Sequence, residues 1–193
     1  RQVHTDNILR VTAEDRGKGL FKERQEDGYD AIMTNEKDVV LVGFSADCVL
    51  IYFYDKVKNA IAIAHSGWRG TVLGIGGKVV KRMKEEFGSN PEDIVCGIAP
   101  AIGVDHFQVD IPVVTAFRQA YDWADKFIYP DENMAERWFI DLHSINEEIL
   151  VNEGIKRENI ENSRICTQCD PDRFFSHRVM GAKRGTLAGF MSL

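Results

Sequence analysis

The chain has 193 residues, 44% hydrophobic and 28% charged, which is enough to bury a core of ordinary proportions in a single domain. Its 24 Lys and Arg against 30 Asp and Glu leave a formal charge of -6, which argues against a general nucleic-acid binder that works by neutralising phosphates. The longest apolar run, Val39 to Phe44, falls far short of the ~20 residues a membrane span needs.

No signal-peptide pattern opens the chain, so the reading is a soluble cytoplasmic protein. Its four cysteines are then thiols or metal ligands rather than a disulfide framework. A strand-like segment is already under way at Arg1, which points to residues missing upstream.

Glu14 to Gly28 is dominated by charge and glycine, with Leu20 and Phe21 its only large apolar pair, and reads as an exposed loop. Three strands follow: Asp38 to Ser45, Val49 to Tyr54 and Asn59 to His65. Apolar residues run through the first two without alternation, so the sheet they build is expected to be covered on both faces. Past Gly67 and Gly70, the apolar positions Val72, Ile75, Val79, Met83 and Phe87 have helical spacing, and Gly88 is a natural stop. Ile94 to Ala99 reads as a further buried strand. Pro112 suits the first turn of a helix running towards Tyr121. A helix from Asp141, with Leu142, Ile145 and Ile149 inward, should end at Gly154, and Arg164 to Thr167 and Thr186 to Leu193 return to extended chain. Helices and strands alternate without a regular βαβ rhythm, which predicts an α+β fold with layered mixed sheets.

The chemistry concentrates around one hairpin. If its centre lies between Lys56 and Val57, paired positions sum to 113 and Cys48 stands opposite His65. Opposed Cβ atoms are ~4.5 to 5.5 Å apart, close enough for a thiolate and an imidazole to share a metal. A one-residue slip would turn the two side chains to opposite faces. Asp47 adds a carboxylate beside Cys48, and His65 opens His65-Ser66-Gly67-Trp68-Arg69-Gly70, a strand-to-helix turn. Two glycines let backbone approach a ligand there, while a helix start and Arg69 favour an anion such as phosphate.

These residues resemble the YfiH family, formerly described as multicopper polyphenol oxidoreductases or laccases and later as purine nucleoside phosphorylases. The matching elements are Gln2-Val3-His4, Asp30 with Thr34, Ala46-Asp47-Cys48, the His65 to Gly70 stretch, Ile98 to Gly103, Phe107 with Val109, Cys166-Thr167, and Phe174-Phe175-Ser176-His177-Arg178. The resemblance implies a layered α/β/β/α sandwich and a Zn2+ ion held by His4, Cys48 and His65. Ala99 and Val179 depart from the family pattern, and the resemblance implies a further N-terminal stretch ahead of Arg1.

Three protein ligands leave a place for water or substrate, as catalytic zinc sites do. Water acidified there suits deamination of adenosine, with Asp47 as candidate acid/base or as a carboxylate that only orients the turn. Phosphorolysis instead needs an anion site, for which Arg69 and the amides of Gly67, Trp68 and Gly70 are candidates. What the resemblance implies as substrates is adenosine, inosine or methylthioadenosine together with phosphate. His177 and Arg178 either reach the same pocket or serve packing.

Cys166 and Cys169 form a CxxC that reads as ordinary thiols rather than a redox pair or half a zinc site. Cys96 is expected in the core, and His106 and His143 in surface or capping roles. Competing readings are a cysteine-type hydrolase of cell-wall precursors, with Cys48 as nucleophile and His65 as base, and a non-enzymatic metal-stabilised binding module. A copper oxidase is disfavoured, because a single mixed ligand set does not supply several copper centres. The number of subunits stays open.

Overall fold

The computed structural model describes residues 1–23 and 27–193; residues 24–26, part of the expected exposed loop, lie outside the described residues. In chain order the elements are β1 (Ile8–Arg10), β2 (Ala31–Thr34), β3 (Leu41–Ser45), β4 (Val49–Asp55), β5 (Ala60–Ser66), α1 (Trp68–Val72), α2 (Ile75–Phe87), β6 (Ile94–Ile98), β7 (Gln108–Asp110), α3 (Ile111–Ala120), β8 (Ile128–Pro130), β9 (Arg137–Ile140), α4 (Leu142–Asn152), β10 (Ile160–Asn162), α5 (His177–Met180) and β11 (Leu187–Met191). Six strands form one mixed sheet in the order β1-β2-β5-β4-β6-β10, in which β1–β2 and β6–β10 are parallel and the other pairs antiparallel. Two smaller antiparallel sheets pair β3 with β11 and join β7, β9 and β8.

The pleat sorts the central sheet into two faces. On one, Val49, Ile51 and Phe53 of β4 and Ala60, Ala62 and Ala64 of β5 share the main core with Ile75, Val79 and Met83 of α2 and Ile145, Ile149 and Leu150 of α4. On the other, Ile61 and Ile63 pack with Val11, Val39 and Leu41, so the β3–β11 ribbon forms a second β layer. The result is the expected layered α+β fold: helices, a mixed sheet, then further strands. Among the described residues no helix is long and apolar enough to cross a membrane.

Several expected elements appear with adjusted bounds. The helix read from Val72 to Phe87 is two helices, because Gly74 takes a left-handed conformation (φ 72°) that interrupts it, and Gly88 ends the second as foreseen. Pro112 lies in the first turn of α3, and Asp141 caps α4 by accepting a hydrogen bond from the Ser144 amide. Strand β3 corrects the reading of three strands in one covered sheet. It pairs with the C-terminal β11 instead, and Val40 and Phe44 are exposed. The segment Arg164 to Thr167 makes only an isolated bridge, Ala101 to Cys166, rather than a strand. Leu20 and Phe21 are exposed, as the loop reading requires.

Candidate metal centre

The hairpin register differs from the one read off the sequence. Val49 pairs with Ser66 and Leu50 with His65, so paired positions sum to 115 and the turn occupies Lys56 to Asn59. Cys48 is therefore diagonal to His65 rather than opposite it. A shift of two residues preserves the pleat, so both side chains remain on the same side, where a shift of one would have separated them.

His4 joins them from the N-terminal segment. Its Nε2 lies 4.0 Å from Cys48 Sγ, and its ring meets that of His65 edge-on with centroids 4.8 Å apart. One donor atom from each of His4, Cys48 and His65 falls within 4.8 Å of the other two. Donors around a tetrahedral Zn2+ stand roughly 3.3 to 3.8 Å apart, given bonds of about 2.0 to 2.3 Å. The three residues therefore fit such an ion after sub-ångström to ångström contraction. The space they share is kept open by Gly67, whose missing Cβ would stand 2.9 Å from Cys48 Sγ and 3.2 Å from His4 Cδ2.

Asp30 arranges this cluster from behind. Its buried carboxylate accepts hydrogen bonds from the amides of Val3, His4 and Thr5, from Thr5 Oγ1, and from His65 Nδ1 at 2.9 Å. One carboxylate thus ties the N-terminal segment to β5. Because an ionised carboxylate only accepts, the His65 proton sits on Nδ1 and Nε2 becomes the metal donor. Gln2 adds a second anchor through a two-way exchange with the Phe44 backbone, its amide donating at 2.7 Å and accepting at 2.8 Å. His4 (φ 62°) and Asp47 (φ 80°) both hold left-handed backbone beside the cluster, a strained geometry that the surrounding hydrogen bonds maintain.

The charges follow this arrangement. Burial works to raise the Cys48 thiol, but hydrogen bonds from His4 and His65 outweigh it and bring it down to about 7. Burial works to lower His65, but Asp30 and Cys48 push it up to about 9. Asp30 resists burial through its bonds to His65 and the three amides, which hold it well below the usual carboxylate range. The lowered thiol and the raised imidazole favour a thiolate beside an imidazolium when no metal is bound; a cation would replace the imidazolium proton.

The other expected site residues divide. Trp68, Arg69 and Gly70 belong to α1, which begins three residues after His65, and the Arg69 guanidinium lies 4.3 Å over the Trp68 ring. Arg69 is exposed and makes no ion pair among the described residues. Helix α1 has only five residues, so its dipole is small, and the charge available at this turn is that of Arg69. The turn is braced from below by a buried triad that sequence reasoning missed. Ser66 Oγ donates to Asn146 Oδ1 at 2.7 Å, and Asn146 Nδ2 donates to Thr71 Oγ1 at 3.2 Å.

Asp47 is buried, and its carboxylate accepts from Thr167 Oγ1 at 2.6 Å, Ser176 Oγ at 3.1 Å and the Arg178 amide at 2.7 Å. These bonds draw the Cys166-Thr167 and FFSHR elements onto the turn before Cys48. The Arg178 guanidinium is committed to the carbonyls of His106 (2.8 Å) and Gln108 (3.2 Å), while exposed His177 contacts Arg184.

Cys96 is buried as expected, and burial pushes its thiol up. His143 departs from its expected surface or capping role: it is buried in α4, with Nδ1 2.9 Å from Asn162 Oδ1. His106 departs as well. It meets Cys166 and Cys169 in a second group of donor atoms within 4.8 Å of one another, so the described residues hold two donor sets rather than the single one expected.

Fold and site together define a layered α+β protein with a His-Cys-His cluster able to hold one metal ion. The chain belongs to the YfiH family, whose sequence model, described as multi-copper polyphenol oxidoreductase laccase, matches residues 1–193. It is 38% identical over 193 residues to purine nucleoside phosphorylase YlmD of Bacillus subtilis, covering 100% of this chain and 69% of that protein. It is 32% identical over 188 residues to adenosine deaminase RL5 of an unknown prokaryotic organism, covering 96% and 70%. Among solved structures, the YfiH protein of Bacillus licheniformis, described as hypothetical, superposes with a TM-score of 0.94 at 36% identity, over 100% of this chain and 72% of that one.

Proposed function

We propose that the chain is a zinc-dependent purine nucleoside phosphorylase acting on adenosine, inosine or methylthioadenosine in the cytoplasm, with adenosine deamination as a second activity of the same centre. The observation that carries this reading is the convergence of His4, Cys48 and His65 on one point, with Asp30 fixing the tautomer of His65. Similarity to proteins named as phosphorylases and a deaminase supports the substrate class. Bound there, Zn2+ would supply Lewis acidity for polarising the purine or acidifying water.

The remaining work falls to the chain. Arg69, with the amides of Gly67, Trp68 and Gly70, holds phosphate beside the cluster. In phosphorolysis a phosphate oxygen forms a bond to ribose C1′ as the bond from C1′ to the purine nitrogen breaks. The electron pair goes to the base, which takes a proton, and ribose 1-phosphate is released. In deamination the oxygen of water replaces the amino group, which leaves as ammonia. Asp47, already an acceptor for three donors, serves as a positioning residue that holds the Thr167 and Ser176 segments over the site. His177, exposed like Phe175 and Arg178, is the member of the FFSHR element offered to substrate, whereas the guanidinium of Arg178 shapes the wall.

The test is incubation of purified protein with adenosine and inorganic phosphate. Adenine with ribose 1-phosphate, or inosine with ammonia, is expected, and Cys48→Ala and His65→Ala should each reduce either product by at least ~100-fold, as loss of a metal ligand would. No product above those controls overturns the assignment.

One observation favours a second reading. A thiol near 7 beside an imidazole near 9 is also the state of a cysteine nucleophile with its base, which suits a hydrolase of peptidoglycan precursors. Such a pair needs one imidazole, and here two converge on one sulfur. A metal-free active protein, covalently trapped at Cys48 by an electrophilic substrate, would establish the hydrolase instead.

A further inference from the structure

The reaction above assigns no role to the thiols of Cys166 and Cys169 or to the imidazole of His106. His106 Nδ1 stands 3.5 Å from Cys166 Sγ and 3.6 Å from Cys169 Sγ, close to the spacing of imidazole and thiolate donors around a tetrahedral ion. All three donor atoms lie within 4.8 Å of one another.

The backbone prepares the site. Ala101 and Cys166 form a parallel bridge, with Ala101 N donating to Ile165 O and Thr167 N donating to Ala101 O. The Gly103 amide donates to Cys166 Sγ at 3.1 Å, a contact that favours a thiolate at that position. The turn closed by His106 N on Gly103 O then carries the imidazole to the two sulfurs. Two soft thiolates and an imidazole select Zn2+ among the common divalent ions, with solvent completing four-coordination.

We propose that His106, Cys166 and Cys169 form a second Zn2+ site, with solvent in the fourth position, that fastens the turn after β6 to the segment leading into the FFSHR element. Its position gives it a purpose. Thr167, next to Cys166, holds Asp47, and the His106 carbonyl accepts from Arg178, so the ion closes the frame around the turn that presents Cys48. The inference does not depend on the reaction assigned above.

Native mass spectrometry of the full chain, reduced, loaded with Zn2+ and desalted, tests it. Two ions per chain are expected, one in Cys48→Ala, one in Cys169→Ser and none in the double variant. Cys169 is exposed, which makes its replacement tolerable to the fold. As a second measurement, Zn2+ should raise the melting temperature of Cys48→Ala and leave that of Cys48→Ala/Cys169→Ser unmoved. A wild-type chain holding a single ion that Cys48→Ala removes overturns the proposal. So does a Cys166–Cys169 disulfide, seen as a loss of two hydrogens, that persists in reductant in place of a second ion. Absence of enzymatic activity bears on the function and leaves this metal count untouched.

Discussion

At Gly67 the difference between hydrogen and a methyl group decides whether three donors can share an ion. The backbone there has φ -63°, which alanine adopts freely, so the constraint is contact with Cys48 Sγ and His4 rather than conformation. Gly67→Ala is expected to leave the fold intact, by circular dichroism and melting, while weakening Zn2+ binding at least ~10-fold in chelator competition, since it displaces ligand side chains that must hold their positions closely. Unchanged affinity would show slack in the cluster. Sequence made Cys48, His65 and the glycine turn legible because they flank one hairpin, and His4 came only through family resemblance. Asp30 was a matching residue without a role. Its five bonds reach three consecutive amides, a hydroxyl and an imidazole from 25 to 35 positions away, which no spacing rule encodes.

Among elements, the turn from β5 into α1 depends on α4, far along the chain. Asn146 bridges Ser66 and Thr71 and also donates to the Leu142 carbonyl at 2.8 Å, all out of reach of water. Asn146→Ala removes the amide shared by two buried hydroxyls, which keep only their mutual bond and the bonds of Thr71 to the Ser66 and Gly67 carbonyls, and is expected to cost about 1 to 3 kcal/mol. Urea unfolding monitored by fluorescence measures it, and a loss well below this range would show that the hydroxyls find other partners. Helices α2, α3 and α4 were legible because their apolar spacing, glycine stops and Pro112 are local signals. Strand β3 was misplaced because its apolar run marks burial without naming the partner, and that partner is β11, 146 residues later at the central Gly43–Gly189 pair.

Over the whole molecule, the charges of the cluster set how stability varies with pH. Asp30 is depressed in the folded chain, so its contribution is present above the unfolded value near ~3.9 and is lost as pH falls through that range and below. His65 is raised, so in the metal-free chain its contribution is complete below ~6.5 and is lost as pH rises through about 9. Cys48 is depressed, and its contribution is present above ~8.5 and fades as pH falls through about 7. Between 7 and 9 the last two oppose each other. Metal-free protein should therefore show a plateau in urea midpoint near neutrality and an acid limb that Asp30→Asn flattens. An acid limb unchanged by that substitution would place the sensitivity elsewhere.

By itself the sequence determined the α+β class, the separate helices, the hairpin and the family motifs, because these follow from periodicity, turn chemistry and residue type over short intervals. Tertiary structure alone decided the two-residue register shift, the pairing of β3 with the C-terminus, the grip of Asp30 on both histidine segments and the meeting of His106 with two sulfurs. Each of those requires chain segments far apart to be brought within a few ångströms, and the geometry that selects among possible partners comes into being only when the core closes.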